Sequence, residues 1–198
     1  MVREVDRRSG RPRFRGSDAG TNVAGIGELS RMCSAGACRV ISYDISESGQ
    51  TVILIDAVVG HLDHHRQRTP GSREAGGQLF ARFDGNAIQV ERTTGPRPSD
   101  RRRRMSFIPD RLAERREIKR LFREGLCYVG DWHTHPEPCP IPSQTDIDSF
   151  QDMFRKSRHR LASFVMVIVG TADPPTGLFV ALCNSEGVRK LAVSRYGT

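Results

Sequence analysis

The feature that most constrains the fold is a histidine pair at the end of an apolar segment, followed by a run of alternating prolines. The segment from Leu126 to His135 is rich in apolar and aromatic residues and therefore predicts a strand. Because side chains alternate along a strand, His133 and His135 are expected to share one face, and Trp132 is expected on the other. The prolines at positions 136, 138, 140 and 142 end the strand and make the next segment extended and stiff. Two imidazole rings are thus predicted to point at one place.

A helix is predicted to follow the prolines, from Ser143 to His159, with Ser143 as its N-cap. Taken alone, Ser143 and Asp146 are typical of a capping pair. The carboxylate of Asp146 can also swing back to the histidines, and capping is compatible with metal binding. Two histidines and one aspartate suit Zn(II), which takes nitrogen and oxygen ligands and keeps a fourth position for water when it is catalytic. Asp148 is not expected to share the metal, because two residues along a helix correspond to a rotation of about 200°.

The spacing of these residues resembles a known metal signature. The order His-x-His, seven residues, Ser, two residues, Asp is filled by His133, His135, Ser143 and Asp146. It is similar to the signature of the JAB/MPN (JAMM) metallopeptidases. The resemblance implies an α/β fold class of the α+β type, with the cytidine-deaminase-like JAB/MPN fold, in which a curved mixed β-sheet is flanked by helices on both sides. The domain is expected to span residues 21–198.

The same resemblance implies an active site with one zinc ion per chain. His133, His135 and Asp146 would hold the metal. The family also has a glutamate at the edge of an earlier strand, and Glu74 resembles it. Glu74 would act as general base and then general acid, and Ser143 would donate a hydrogen bond to the oxyanion that develops on the scissile carbonyl. The implied activity is hydrolysis of a peptide or isopeptide bond.

Two further sequence segments resemble those of one prokaryotic branch of this family. They are Ser106-Phe107-Ile108-Pro109-Asp110 and Gly130-Asp131-Trp132, which are similar to segments of the deconjugating peptidases of CBASS anti-phage operons. The implied partner is a protein substrate with a flexible C-terminal tail, either a ubiquitin-like or a nucleotidyltransferase conjugate. Ala75 departs from the pattern, since relatives often carry threonine there.

Two other classes of function stay open at this point. The first is a catalytically silent scaffold of the MPN type. The second is a basic nucleic-acid-binding module, because 31 Lys and Arg against 23 Asp and Glu give a net charge of +8. Residues 1–20 form an arginine-rich tail that is predicted to be disordered, and aromatic interleaving there is limited to Phe14. The run Arg101 to Arg104 is expected to be solvated or, in a peptidase, to guide the substrate tail.

Composition predicts where the protein is located and whether its cysteines are reduced. No apolar run approaches the roughly 20 residues of a membrane span, and the N-terminus lacks the apolar stretch of a secretory signal, so a cytoplasmic protein without a membrane partner is expected. Five irregularly spaced cysteines favour reduced thiols over a disulfide framework, and Cys139 is interpreted as a loop residue. His61, His64 and His65 are interpreted as an exposed loop and not as a second metal site.

The remaining patterns predict a mixed sheet with helices on both sides. Asp84-Gly85 predicts a hairpin, and Gly76-Gly77 is expected to let the backbone pass close to a neighbouring element or ligand. The other predicted elements are strands from Cys38 to Tyr43, Thr51 to Val59, Leu161 to Gly170, Leu178 to Asn184 and Val188 to Ser194, a loop from Thr93 to Arg104, and a helix from Asp110 to Glu124.

Overall fold

A computed structural model describes residues 39–45 and 48–197, and the predicted basic tail lies outside these described residues. The described part contains three helices, α1 (Asp56–His64), α2 (Arg111–Arg123) and α3 (Gln144–Lys156). Its strands are β1 (Val40–Ile45), β2 (Gln50–Leu54), β3 (Gly76–Asp84), β4 (Ala87–Thr93), β5 (Arg101–Arg103), β6 (Ser106–Ile108), β7 (Cys127–Thr134), β8 (Phe164–Val169), β9 (Leu178–Cys183), β10 (Val188–Lys190) and β11 (Ala192–Gly197). None of the described helices is long and apolar enough to span a membrane.

Nine strands form one mixed sheet in the order β10-β9-β8-β7-β3-β4-β2-β1-β11. The pairs β2–β4 and β7–β8 are parallel, and the other neighbours in this sheet are antiparallel. Its two edge strands, β10 and β11, are separated in sequence by Leu191 alone. Because one residue joins strands at opposite ends of the order, the sheet must curl until its edges approach each other. The predicted curved, mixed sheet is confirmed.

Alternation along β8 shows that helices cover both faces of this sheet. Val165 and Val167 join the main core together with the α1 residues, whereas Met166 and Ile168 pack with Phe150 of α3. Helix α2 lies on the α3 side, where its buried leucine, Leu121, packs on β3 and on the start of β7. The central strand β7 therefore presents one face to the α1 core and the other to α2 and α3.

The predicted strand from Thr51 to Val59 is wrong beyond Leu54, where the chain turns into α1. Val58 and Val59 favour a strand locally, but with Leu62 they form one helical face that is buried in the main core. The N-cap, Ile55, makes no side-chain capping bond, so the sequence carries no start signal for this helix. Tertiary burial overrides local propensity here.

Two other predicted segments are reorganised. The predicted loop from Thr93 to Arg104 contains β5, which pairs with β6 in a separate two-stranded sheet. The predicted closing strand Val188 to Ser194 is divided at Leu191, whose amide donates to the carbonyl oxygen of Val180 at 2.8 Å. The hairpin around Asp84-Gly85 is confirmed, with Asp84 opposite Ala87.

The glycine pair at the start of β3 is required by close packing, as predicted. A Cβ atom on Gly77 would lie 1.7 Å from the carbonyl oxygen of Thr94, and one on Gly76 would lie 2.6 Å from the Phe107 ring. Only glycine lets the start of β3 pass this close to the β5–β6 hairpin on one side and to the segment after β4 on the other. Glu74 lies immediately before this crossing.

Candidate metal centre

Three potential metal ligands converge where β7 ends and α3 begins. His133 lies near the end of β7 and His135 one residue beyond it, and Asp146 lies in the first turn of α3. The Nε2 atoms of the two histidines are 3.2 Å apart. Asp146 Oδ1 lies 3.3 Å from His133 Nε2, and Asp146 Oδ2 lies 3.4 Å from His135 Nε2. Among the residues that the structure describes, this is the one group of three or more His, Cys, Asp or Glu side chains close enough to share a metal ion.

The three separations fit a tetrahedral zinc site. Zn–N and Zn–O bonds of about 2.0–2.1 Å at tetrahedral angles place neighbouring ligand atoms about 3.3 Å apart. The Nε2 atoms are 3.2 Å apart, and the nearest carboxylate oxygen to each is at a similar distance, Oδ1 at 3.3 Å from His133 and Oδ2 at 3.4 Å from His135. The donor set, two imidazoles and a carboxylate, is also one that zinc accepts.

Helix capping holds Asp146 in this position. The Ser143 amide donates to Asp146 Oδ2 at 2.8 Å, and the Ser143 hydroxyl donates to the same oxygen at 2.6 Å. In return the Asp146 amide donates to Ser143 Oγ at 3.2 Å, which completes a capping box. In this structure Asp146 completes the capping box and lies beside both histidines at the same time.

The electrostatics of the cluster match a cation site. Burial acts to raise the pKa of Asp146, but hydrogen bonds from His133, His135 and Ser143 outweigh it and hold this pKa far below its usual range. The hydrogen bond with Asp146 raises the pKa of His135, against the opposing effect of burial. Positive charge is therefore stabilised at the point where the three side chains meet.

Glu74 faces the same cavity as the three converging side chains. Burial raises the pKa of its carboxyl group above the usual range, and the nearby His133 and His135 act in the opposite direction. A glutamate with a raised pKa beside a cation site is suited to accept and return a proton. Glu74 does not belong to the close group formed by His133, His135 and Asp146.

Glu137 is a further residue at the site, on the proline segment that follows β7. Its carboxylate lies 3.7 Å from His135 Nδ1, on the ring edge opposite the cluster. This separation is an ion-pair distance and not a hydrogen bond, and the negative charge of Glu137 acts to raise the pKa of His135. The proline segment that carries Glu137 is held by the amide of Thr171, which donates to the Glu137 carbonyl oxygen at 2.8 Å.

Other candidates from the sequence lie apart from the cluster. Asp148 is exposed and accepts a hydrogen bond from Gln144, and Cys139 is an exposed free thiol on the proline segment. Neither belongs to the group of converging side chains.

The predicted loop at His61, His64 and His65 is wrong, because helix α1 runs through His64 and His65 caps it, and the predicted exposure holds only for His64. His61 and His65 are partly buried against Trp132 instead, with ring centroids 5.4 and 5.7 Å from the indole. Trp132 lies on the α1 face, opposite His133, as predicted.

Thr134 and Gln67 are polar side chains at the site that sequence reasoning missed. They are buried, with 0% and 4% exposure. The Thr134 hydroxyl accepts from the Ala75 amide at 2.9 Å and donates to Gln67 Oε1 at 3.1 Å. The only sequence signal is the hydroxyl between the two histidines, since Gln67 lies in an unremarkable polar stretch.

A cavity of about 460 Å³ extends from the cluster between the β5–β6 hairpin and α3. Its apolar lining includes Phe107, Pro109, Phe150 and Met153. His133, His135 and Asp146 line the same cavity, the groove, whose volume has room for part of an extended polypeptide chain.

The chain is similar to known proteins in sequence and in fold. A family model described as prokaryotic homologs of the JAB domain matches residues 55–182. The CD-NTase/cGAS isopeptidase of Escherichia coli (strain TW11681) is 30% identical over 132 residues, which is 65% of this chain and 82% of that protein. A probable metalloprotease, y4qB, of Sinorhizobium fredii (strain NBRC 101917 / NGR234) is 33% identical over 101 residues, which is 48% of this chain and 62% of that protein. A solution structure of a Desulfitobacterium hafniense protein is 26% identical with a TM-score of 0.48, and the match covers 66% of this chain and 82% of that one.

Proposed function

This chain belongs to the prokaryotic JAB-domain family, and its named relatives include CD-NTase/cGAS isopeptidases and a probable metalloprotease; from that premise we propose that it is a zinc-dependent isopeptidase. Its substrate would be a protein joined to a target through a flexible C-terminal tail. One observation carries the proposal: His133 Nε2 and His135 Nε2 lie 3.2 Å apart, and each has one oxygen of the Asp146 carboxylate beside it, at 3.3 and 3.4 Å, which is a donor set that zinc accepts.

A zinc ion held by these three side chains would lower the pKa of a water molecule from about 15.7 to about 7 and polarise the scissile carbonyl. Glu74 would take the proton of the attacking water and return it to the departing nitrogen. Its raised pKa favours this double role, because a carboxyl group that is neither too strong nor too weak an acid can work in both directions.

Ser143 would donate its hydroxyl to the oxyanion that forms on the scissile carbonyl. The hydroxyl has one proton, which is directed at Asp146 Oδ2 in this structure. If the hydroxyl turns and donates its hydrogen bond to the substrate instead, the Ser143 amide still donates to Asp146 at 2.8 Å. The capping box can therefore release the hydroxyl without releasing the aspartate.

The groove suggests how the tail is bound. An extended tail could lie along the apolar lining formed by Phe107, Pro109 and Phe150, with its last carbonyl beside His133. Because the Escherichia coli relative is named a CD-NTase/cGAS isopeptidase, we propose a nucleotidyltransferase conjugate as the substrate, with a ubiquitin-like conjugate as the alternative.

Metal analysis and a cleavage assay test the proposal together. The purified chain should contain about one zinc ion and should cleave a nucleotidyltransferase fusion after its C-terminal tail. Asp146→Asn should lose both properties, because it removes a ligand charge while keeping the side-chain shape. Asp148→Asn is the matched control, since it makes the same change two residues along α3 without touching the cluster, and it should retain both.

Each of the other outcomes favours a different function or a different ligand assignment. A native chain that binds no metal would exclude the zinc-dependent isopeptidase and favour a catalytically silent scaffold. Binding of DNA that weakens steeply with salt, together with absent cleavage, would favour the nucleic-acid module. Equal metal loss in Asp146→Asn and Asp148→Asn would mean that the ligand has been assigned to the wrong residue.

A further inference from the structure

The backbone on either side of Glu74 is held by hydrogen bonds from two other elements. The Glu74 amide donates to the Arg103 carbonyl oxygen at 2.7 Å, and the Arg102 Nε donates to the Glu74 carbonyl oxygen at 2.7 Å. The Ala75 amide donates to Thr134 Oγ1 at 2.9 Å, and the Ala75 carbonyl accepts from the Thr134 amide at 2.8 Å. Every polar backbone group of these two residues is therefore engaged by β5 or β7.

Thr134 links this segment directly to the histidines. It stands between His133 and His135 and is fully buried. Its hydroxyl uses its single proton to donate to Gln67 and accepts from Ala75, so both of its bonds have a fixed direction. The residue that separates the two imidazoles thus also holds the residue that follows Glu74.

Gln67 closes the network from the other side. Its Nε2 donates to the Arg104 carbonyl oxygen at 2.9 Å and to the Ser72 carbonyl oxygen at 3.4 Å. Two carbonyl oxygens around Nε2 fix the orientation of the amide, so Oε1 must face the Thr134 hydroxyl. The result is a ring of bonds from Thr134 through Gln67 to the β5 segment, then through Glu74 and Ala75 back to Thr134.

We infer that Thr134 and Gln67 are positioning residues that set where Glu74 stands relative to His133 and His135. This inference rests on the proposed function, since it assigns them to the proton-transfer step of that reaction. A catalytic base must reach its proton within hydrogen-bond distance, and displacement by about an ångström can cost about 10²-fold in rate. A buried network with both partners satisfied restricts such displacement because any shift leaves a polar group unpaired.

The experiment compares Thr134→Val with Thr134→Ser. Valine keeps the shape of the side chain and removes both hydroxyl bonds, whereas serine keeps them. Thr134→Val should keep about one zinc ion and an unchanged KM, while kcat falls roughly 10- to 100-fold. Thr134→Ser should recover most of kcat. Gln67→Met provides a second variant that leaves the Ala75 bond in place, and its kcat should fall in the same direction.

Amide hydrogen exchange gives a measurement that does not depend on activity. In Thr134→Val the Ala75 amide loses its acceptor and should exchange at least about tenfold faster, while amides of β8 keep their protection. Val52→Ala, in β2 and three strands away from β7, serves as the stability control. It should lower the melting temperature without changing kcat or Ala75 exchange.

Several results would overturn the inference. They are an unchanged kcat in Thr134→Val, unchanged Ala75 exchange, an equal kcat loss in Val52→Ala at the same drop in melting temperature, or loss of zinc from Thr134→Val. Absence of cleavage by the zinc-loaded wild-type chain would instead refute the proposed function, and the exchange measurement would still decide whether Thr134 holds the Glu74 segment.

Discussion

Ser143 has two assigned tasks that substitution can separate. It caps α3, and it is proposed to stabilise the oxyanion. Ser143→Ala removes both contributions, because alanine can neither accept from the Asp146 amide nor donate a proton. Ser143→Gly removes the hydroxyl as well, but glycine is a tolerated N-cap residue.

The expected magnitudes differ for stability and for catalysis. Loss of a serine N-cap to alanine costs about 1 kcal/mol, and the change to glycine costs only a few tenths. In a chain of this size 1 kcal/mol corresponds to a fall of about 2–4 °C in melting temperature. Loss of one oxyanion donor costs about 10²- to 10³-fold in kcat. Both variants should therefore lose kcat to the same extent, although only Ser143→Ala should melt clearly earlier.

The assay is steady-state cleavage of a tail-linked fusion, with zinc content and thermal unfolding measured on the same preparations. Ser143→Thr should retain substantial activity because it keeps the hydroxyl. If Ser143→Ala kept kcat within about threefold while its melting temperature fell, the oxyanion role would be refuted and only capping would remain. If kcat followed melting temperature across the variants, the loss would reflect the position of Asp146.

Three further predictions concern the base, the arginine run and acid stability. Glu74→Gln should keep zinc and fold but lose about 10²- to 10⁴-fold in kcat, and retained cleavage would show that another group is the base. Arg103→Gln, at an exposed position, should raise KM if the arginine run guides substrate. Arg102→Gln should lower kcat, because Arg102 Nε donates a hydrogen bond to the Glu74 carbonyl oxygen. Identical kinetics in both variants would mean that neither arginine contributes to substrate binding or to the position of Glu74. Burial, and to a lesser extent the charge of His61, lowers the pKa of His65 from 6.5 to about 4. The stability that is present above pH 6.5 should therefore be lost as the pH falls toward 4. The expected loss is about 1 kcal/mol after discounting for the partial exposure of the imidazole. His65→Phe should remove this loss in pH-dependent unfolding followed by the fluorescence of the single tryptophan, and an unchanged pH profile would contradict the assignment.

Some of the basic residues in the arginine run have a structural role, which changes the interpretation of the run. Arg102 is engaged with the Glu74 and Arg73 carbonyl oxygens, and Arg104 donates to the Pro70 carbonyl oxygen. These bonds fix the β5–β6 hairpin over the start of β3. The run is therefore not a uniform cationic surface, which weakens its interpretation as a nucleic-acid contact.

The local sequence was sufficient for the parts of the site that depend on short-range geometry. Strand alternation placed His133 and His135 on one face and Trp132 on the other. The spacing of Ser143 and Asp146 predicted a capping box, because that motif depends on four consecutive residues. The glycine pair that begins β3 likewise marked a close backbone approach.

Tertiary structure alone decided the features that join distant segments. Nothing local indicates that Val58 and Val59 belong to a helix, since the face that they form gains its stability from the core. Gln67 and Arg102 are ordinary polar residues in sequence, and they acquire a role only because the fold brings them to the Glu74 segment. Local periodicity reports which way a side chain points from its own element, whereas the partner that it meets depends on the path of the whole chain.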